Sequence, residues 1–363
     1  MLDPGRPARL APGVPMTASP PHPDPRPAPA SAMARRFDRP VRVAVTRRLG
    51  PAVEARLREL FDVRLNASDR HLGRDALAAA MAGCDVLVPT VTDRLDRDLI
   101  DAAPANLRLV ASFGAGTDHI DLDAARARGI LVTNTPGVFT DDTADLAMAG
   151  IIGVPRRVRE GVELIRSGQW TGWAPTAMLG RKLGGKTLGI VGMGRIGQAV
   201  AHRARAFGLE VVYHNRTRLP QAAERMFGAA YVETLDELMR AADIVTLHCP
   251  STDATRGMID ARRLAMMKPG GALINTARGD LVEQEALIAA LDSGQLAGAG
   301  LDVYPDEPDV DPRLIAHPNV MTLPHIGSAT VEGREESGMR VIANIRMWAD
   351  GHRPPDQVLP RQE

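Results

Sequence analysis

Cysteine is almost missing from this chain: Cys84 and Cys249 are the two among 363 residues. Two separated thiols make neither a disulfide framework nor a metal-ligand cluster, so no metal site is expected and the usage fits a reducing, cytoplasmic setting. An excess of either charge is missing too, with 44 Lys+Arg against 44 Asp+Glu. A nucleic-acid platform needs a basic surplus to neutralise phosphates, so no nucleic-acid partner is expected. No apolar run reaches the ~18–20 uninterrupted residues of a membrane-spanning helix, which argues against a membrane partner. Residues 1–40 have few large apolar side chains and are rich in Pro, Ala and Arg. Such a stretch cannot offset its ordering entropy by burial, and it lacks the apolar core of a secretory signal. It is expected as a disordered tail, with Met16 or Met33 as alternative starts.

From Val41 onward the pattern is regular. Apolar, β-branched runs (VRVAVT at 41–46, DVLVPT at 85–90, LRLVAS at 107–112, GILVTN at 129–134) alternate with helical stretches, the signature of βαβ units on a parallel sheet. A long helical segment opens at TDDTADLAMAGIIGV, with Thr140 expected as its N-cap and Pro155 expected to kink or split it. Six further strands follow: TLGIVGM, LEVVYHN, DIVTLHCP, GALINTA, GAGLDVY and NVMTLP. Six strands in one doubly wound unit make a complete dinucleotide-binding domain. The last helix, from about Ala329 to Asp350, comes after that sheet is complete and is expected to return to the first one. The reading is therefore α/β, with two doubly wound parallel-sheet domains. A Rossmann cofactor domain at 140–325 is inserted in a flavodoxin-like substrate domain at 41–139 and 326–354.

The stretch LGIVGMGRIGQAVAHRARAFGLEVVYHNRTR carries Gly192, Gly194 and Gly197 in the spacing G-x-G-x-x-G, after a strand and opening a helix. Gly192 suits the tight turn, Gly194 close approach of a pyrophosphate and Gly197 close helix–strand contact. The helix N-terminus adds free N–H groups for the phosphates. About 20 residues further on, NAD-binding units place an Asp or Glu on the ribose hydroxyls. Here stand Asn215, Arg216, Thr217 and Arg218. An uncharged amide followed by arginines fits a 2′-phosphate and hence NADP(H), through charge-assisted contacts. Solvated arginines with mixed NAD and NADP use is the alternative.

Three segments close successive strands: INTARGDLVEQEAL with Arg278, GAGLDVYPDEP with Asp302 and Glu307, and TLPHIGSAT with His325. A basic fork, a carboxylate and an imidazole are what reduction of a 2-oxo acid requires. The Arg meets the substrate carboxylate, the imidazole gives a proton to the carbonyl oxygen, and a paired carboxylate orients the imidazole and favours its charged form. Taken singly, each residue could equally be a surface or loop group.

Together with ASFGAGTDHIDL, TNTPGVFTDDTADLAM, GQWTGWAPTAMLG and LHCPST, these segments make the chain resemble the D-isomer-specific 2-hydroxy acid dehydrogenase family, in its glyoxylate/hydroxypyruvate reductase branch. The resemblance covers about Leu107 to Thr330 and implies Arg278, Glu307 and His325 as the catalytic set. It further implies substrate carboxylate binding by backbone N–H groups at Ala115 and Gly116. It assigns cofactor contacts to Arg195, Ile196, Cys249, Pro250 and Thr276, and Asp302 to the nicotinamide carboxamide. Within homodimers of this branch, the tryptophan matching Trp173 reaches the partner's active site. The expected activity is NADPH-preferring reduction of a small 2-oxo acid to the hydroxy acid, of D configuration where chiral. The alternatives are an NAD-dependent dehydrogenase of a bulkier D-2-hydroxy acid and a non-catalytic NAD(P)-sensing interaction protein. Glu307 stands where formate dehydrogenases of this superfamily carry glutamine, which argues against formate oxidation.

Overall fold

The structure, a computed structural model, describes residues 39–358. The expected disordered tail lies outside the described residues except for Arg39 and Pro40. Arg39 forks onto the buried Asp85 at 2.7 and 2.8 Å. The first sheet is built from β1 (Arg42–Val45), α1 (Pro51–Leu60), β2 (Asp62–Leu65), α2 (Arg74–Ala82), β3 (Val86–Val88), α3 (Arg97–Asp101), β4 (Leu109–Ala111), α4 (Leu122–Ala127) and β5 (Leu131–Thr133). Its strands are all parallel in the order β2-β1-β3-β4-β5. This is the flavodoxin-like doubly wound order.

Two helices, α5 (Thr140–Gly153) and α6 (Val158–Arg166), lead to the second sheet. It runs through β6 (Thr187–Val191), α7 (Arg195–Ala206), β7 (Glu210–His214), α8 (Gln221–Phe227), β8 (Ala229–Tyr231), α9 (Leu235–Ala241), β9 (Ile244–Leu247) and α10 (Ala261–Met266). It continues through β10 (Gly271–Asn275), α11 (Gln284–Asp292), β11 (Leu296–Leu301), α12 (Pro312–Ala316) and β12 (Val320–Thr322). The parallel order is β12-β11-β10-β9-β6-β7-β8, so the strand order reverses between β6 and β9. Ligands of open α/β sheets bind in the crevice beyond the carboxyl strand ends at such a switch point.

The final helix, α13 (Val331–Ala349), lies against α1 and β4 of the first sheet. Its Val341, Ile342, Ile345 and Trp348 share one buried cluster with Val43, Val53, Leu57 and Leu109. The crossing with α1 is tight, because a Cβ at Gly338 would stand 2.4 Å from a Val53 methyl. Helix α5 instead buries Ala144, Ala147, Met148 and Ile151 with Leu188, Ile190, Val200 and Ala204 of the second sheet and α7.

Three local expectations need correction. Strand β2, reading DVRL, was not foreseen; it pairs only with β1 and is partly exposed along its length, so it lacks the continuous apolar run of a buried strand. Strand β8, reading AAY, makes the second sheet seven-stranded, and it too is a short edge strand. Thr140 is the first helical residue of α5 rather than its cap; Phe139 holds the cap position, with no side-chain hydrogen bond there. Asp141 and Asp142 in the first turn still complement the helix dipole. Pro155 falls in the turn between α5 and α6, so the proline splits the helical segment. Among the described residues no helix is long and apolar enough to cross a membrane.

Candidate active site

The glycine loop follows the buried strand β6. Gly192 has φ +96°, and a Cβ there would lie 2.6 Å from the Cys249 nitrogen, so the chain can pass β9 this closely only without a side chain. A Cβ at Gly197 would stand 2.3 Å from the Gly192 carbonyl oxygen, which makes Gly197 the contact between α7 and the loop. Gly194, the residue before α7, is exposed and would meet nothing within 4 Å. Two of the three glycines are thus packed by protein, while the third faces open space at a helix N-terminus of 12 residues. That is a cradle with room for a pyrophosphate. Arg195 opens α7, its Cδ 3.8 Å from where a Cβ at Gly137 would sit, and Ile196 packs partly buried on the core.

At the end of β7, the Asn215 side-chain oxygen accepts the Met193 N–H at 2.6 Å, tying this turn to the glycine loop. Arg216 and Thr217 are exposed and make no hydrogen bond or ion pair among the described residues. Arg218 differs: its guanidinium forks onto Glu224 at 2.7 and 2.9 Å and lies 5.3 Å from the Tyr231 ring centre. The hydrogen bonds from Arg218 and from the Tyr213 hydroxyl (2.8 Å) hold the Glu224 carboxyl down at about 2. The two arginines are therefore not equivalent: one is committed to a carboxylate and the other is not.

Further along the crevice lie Cys249 and Pro250 after β9 and Thr276 after β10. Burial pushes the Cys249 thiol up to about 11, which keeps it protonated at neutral pH and a poor nucleophile. The Thr276 hydroxyl is buried without a hydrogen-bond partner. An orphaned hydroxyl at the end of β10, two strands along the sheet from the glycine loop, is an unused polar contact, and together with the open Gly194 cradle the residues present fit a bound nucleotide.

Arg278 stands one turn beyond β10. Buried Asn275 shapes that turn, accepting from the Ala277 N–H at 3.0 Å and donating to the Arg278 carbonyl at 2.8 Å. Arg278 then reaches across to the loop after β4, where Nε and Nη2 donate to Asp118 at 3.0 and 2.9 Å. A Cβ at Gly116 would lie 2.1 Å from Arg278 Nη2, so the Ala115–Gly116 backbone and the guanidinium are in contact. The Ala115 carbonyl is fixed by the Asn134 amide at 2.7 Å.

The other half of the site hangs on β11 and β12. His325, with φ +53°, places Nδ1 2.6 Å from Glu307 Oε2. The second Glu307 oxygen accepts the Tyr304 N–H at 2.9 Å. Burial pushes the Glu307 carboxyl up, but the His325 hydrogen bond, the Tyr304 N–H and the nearby Arg278 charge outweigh it, and the group lies below its ordinary value. Glu307 is thus a carboxylate at neutral pH, so His325 Nδ1–H donates and Nε2 is left for a substrate. Asp302, almost wholly buried, accepts the Ile326 and Gly327 N–H groups at 2.8 and 2.7 Å. It thereby pins the backbone immediately after His325.

Sequence reasoning missed Asn275, Asp118 and Tyr304. All three lie inside quoted motifs, one or two residues from an expected site residue, but their contacts have no sequence signature. Asp118 meets Arg278 from 160 positions away. Trp173, in contrast, is 84 % exposed on the loop after α6 and is not brought to these residues within the chain. Among the described residues no cluster of His, Cys, Asp and Glu could hold a metal ion.

Residues 148–327 match the family model for the D-isomer specific 2-hydroxyacid dehydrogenase NAD binding domain. The chain is 44 % identical over 321 residues to a glyoxylate reductase of Thermococcus litoralis, an alignment covering 87 % of this chain and 96 % of that one. Among solved structures, a glyoxylate reductase from Paecilomyes thermophila superposes with a TM-score of 0.79 at 36 % identity, covering 89 % of this chain and 99 % of that one. An NADPH-dependent glyoxylate/hydroxypyruvate reductase from Sinorhizobium meliloti, in complex with NADP and malonate, gives 0.79 at 35 % identity, covering 88 % and 97 %.

Proposed function

The chain belongs to the D-isomer-specific 2-hydroxyacid dehydrogenase family, in its glyoxylate reductase branch, and from that premise we propose that it is an NADPH-preferring reductase of small 2-oxo acids such as glyoxylate and hydroxypyruvate. The observation that carries the chemistry is the 2.6 Å pair between His325 and an ionised Glu307, at the strand ends that also bear Arg278. The bound nicotinamide supplies a hydride to the carbonyl carbon. Glu307 holds the imidazole in one orientation, and His325 delivers a proton from Nε2 to the carbonyl oxygen as it becomes an alkoxide. Arg278, with the Ala115 and Gly116 amides, holds the substrate carboxylate. Gly192, Gly194 and Gly197, with the first turn of α7, hold the pyrophosphate. Cys249, Pro250 and Thr276 line the nicotinamide side, while buried Asp302, expected there too, instead holds the backbone after His325.

The 2′-phosphate falls to Arg216. Arg218 already has a carboxylate partner in Glu224, whereas Arg216 has none among the described residues. Steady-state kcat/KM for glyoxylate, measured with NADPH and with NADH, tests the cofactor reading. NADPH is expected to lead by about tenfold or more, the worth of one charge-assisted phosphate contact. Arg216→Ala removes most of that lead while NADH rates stay level, and Arg218→Ala removes less. Equal rates with both cofactors in the parent enzyme overturn the NADPH preference and leave the 2-oxo acid chemistry standing.

The functional unit in this reading is a homodimer. Helix α6 buries none of its residues, and Val158, Val162 and Ile165 lie exposed on it, followed by exposed Trp170, Trp173 and Leu179. An apolar face of this kind marks an interface. Sedimentation is expected to find a dimer that Val162→Asp with Ile165→Asp converts to a monomer; an unchanged mass for the double variant removes α6 from the interface.

A further inference from the structure

Arg278 and Asp118 join the carboxyl ends of the two sheets, one residue from the turn after β10 and the other from the loop after β4. A guanidinium has five N–H donors. Arg278 spends Nε–H and one Nη2–H on Asp118, and one Nη1–H on the Ala277 carbonyl at 2.7 Å. One N–H is left on each terminal nitrogen, and Nη2 is the atom in contact with Gly116. The next residue, His119, anchors this loop to the end of β4. His119 bonds Ser112 Oγ at 3.2 Å, and burial pushes its imidazole down to about 4, so it brings no charge to the loop at neutral pH. Burial raises the Asp118 carboxyl, but the Arg278 hydrogen bonds and charge lower it further, so it stays ionised.

We propose that Asp118 is a positioning residue: by taking the Nε edge of Arg278 from the opposite side of the cleft, it aims the two remaining terminal N–H groups at the substrate carboxylate beside Gly116. This rests on the reading that Arg278 binds that carboxylate. An arginine on its own samples many rotamers, and fixing it before substrate arrives removes that ordering cost from binding. The pair also neutralises the guanidinium, so the substrate is selected by the geometry of the fork more than by net charge. Because Asp118 and Arg278 come from different sheets, the arginine is correctly aimed only when the two sides of the cleft are together.

The test uses the full-length enzyme loaded with NADPH and oxamate, a non-reducible isostere of glyoxylate, with binding read from NADPH fluorescence and steady-state glyoxylate kinetics alongside. Asp118→Ala is expected to weaken oxamate and raise KM by about tenfold, the order expected when a pre-set guanidinium regains its rotamer freedom. The loss in kcat is smaller, and NADPH affinity and Tm stay at the parent values. Asp118→Glu restores most of the loss, and isosteric Asp118→Asn, which keeps one acceptor, falls between. In an Arg278→Ala background, Asp118→Ala adds no further loss of oxamate binding, because the two residues act as one unit. Tighter oxamate binding by Asp118→Ala overturns the proposal and makes Asp118 a competitor of the substrate. An equal added loss in the Arg278→Ala background also overturns it, because Asp118 then acts without the arginine. If Arg278→Ala leaves oxamate binding intact, the assignment of Arg278 itself is wrong and the proposal falls with it. If Arg278→Ala is impaired and Asp118→Ala is not, the positioning role alone is lost.

Discussion

His325→Gln is expected to lower kcat for glyoxylate reduction by about 10²–10⁴-fold, the range that a positioned general acid contributes, while NADPH binds as in the parent enzyme. Glutamine is close in size and can still bond Glu307, so the loss reports the missing proton rather than a collapsed loop. The pH profile is the sharper readout. Glu307 sits below its ordinary value, so its charge is complete through the neutral range and is lost only as pH falls through its depressed value. The stability that the His325–Glu307 pair confers follows the same sign on the acid side: present above the ordinary carboxylate range and lost in acid. In the parent enzyme, reduction is expected to slow in acid as Glu307 takes up a proton and no longer orients the imidazole, and in His325→Gln this acid limb disappears. Stopped-flow NADPH oxidation across pH checks the point. An acid limb that persists unchanged in the variant assigns it to another group.

Arg278→Ala is the second large effect. Arg278 and Asp118 are 28 % and 45 % exposed, so the loss comes from the missing charge-assisted bonds to the substrate carboxylate, worth about 1.5–3 kcal/mol, or about 10- to 150-fold in kcat/KM for glyoxylate. Much of the loss belongs to KM, because the fork that holds the substrate carboxylate is gone. Arg278→Lys recovers little, since an ammonium keeps the charge but cannot present two parallel N–H groups. NADPH titration separates this from misfolding: intact cofactor affinity with lost glyoxylate turnover places the defect at the substrate. Cofactor affinity falling in parallel would make Arg278 a residue of the cofactor site or of the fold.

Much of the architecture was legible from the chain. The strands buried on both faces, such as LVA at β4 and GALIN at β10, are continuous apolar runs and stand out in any reading. The glycine spacing is legible for a related reason. Gly192 and Gly197 answer contacts within a few residues or across one strand, and absence of a side chain is a property that a sequence shows directly. The edge strands β2 and β8 escaped because they are short and half-covered, and their local composition resembles that of a loop.

The arginines after β7 mark where sequence reasoning stops. Arg216 and Arg218 look alike along the chain, and their difference arises because α8 brings Glu224, and β8 brings Tyr231, against one of them. The chain by itself determined the fold class, the family and the tight glycine turn that opens α7, since periodicity and glycine placement are local constraints on the backbone. Tertiary structure alone decided that Asp118 meets Arg278 across 160 positions and that Asp302 pins the turn after His325. Those contacts join loops of different strands, and no local pattern encodes a meeting that depends on how two sheets come together.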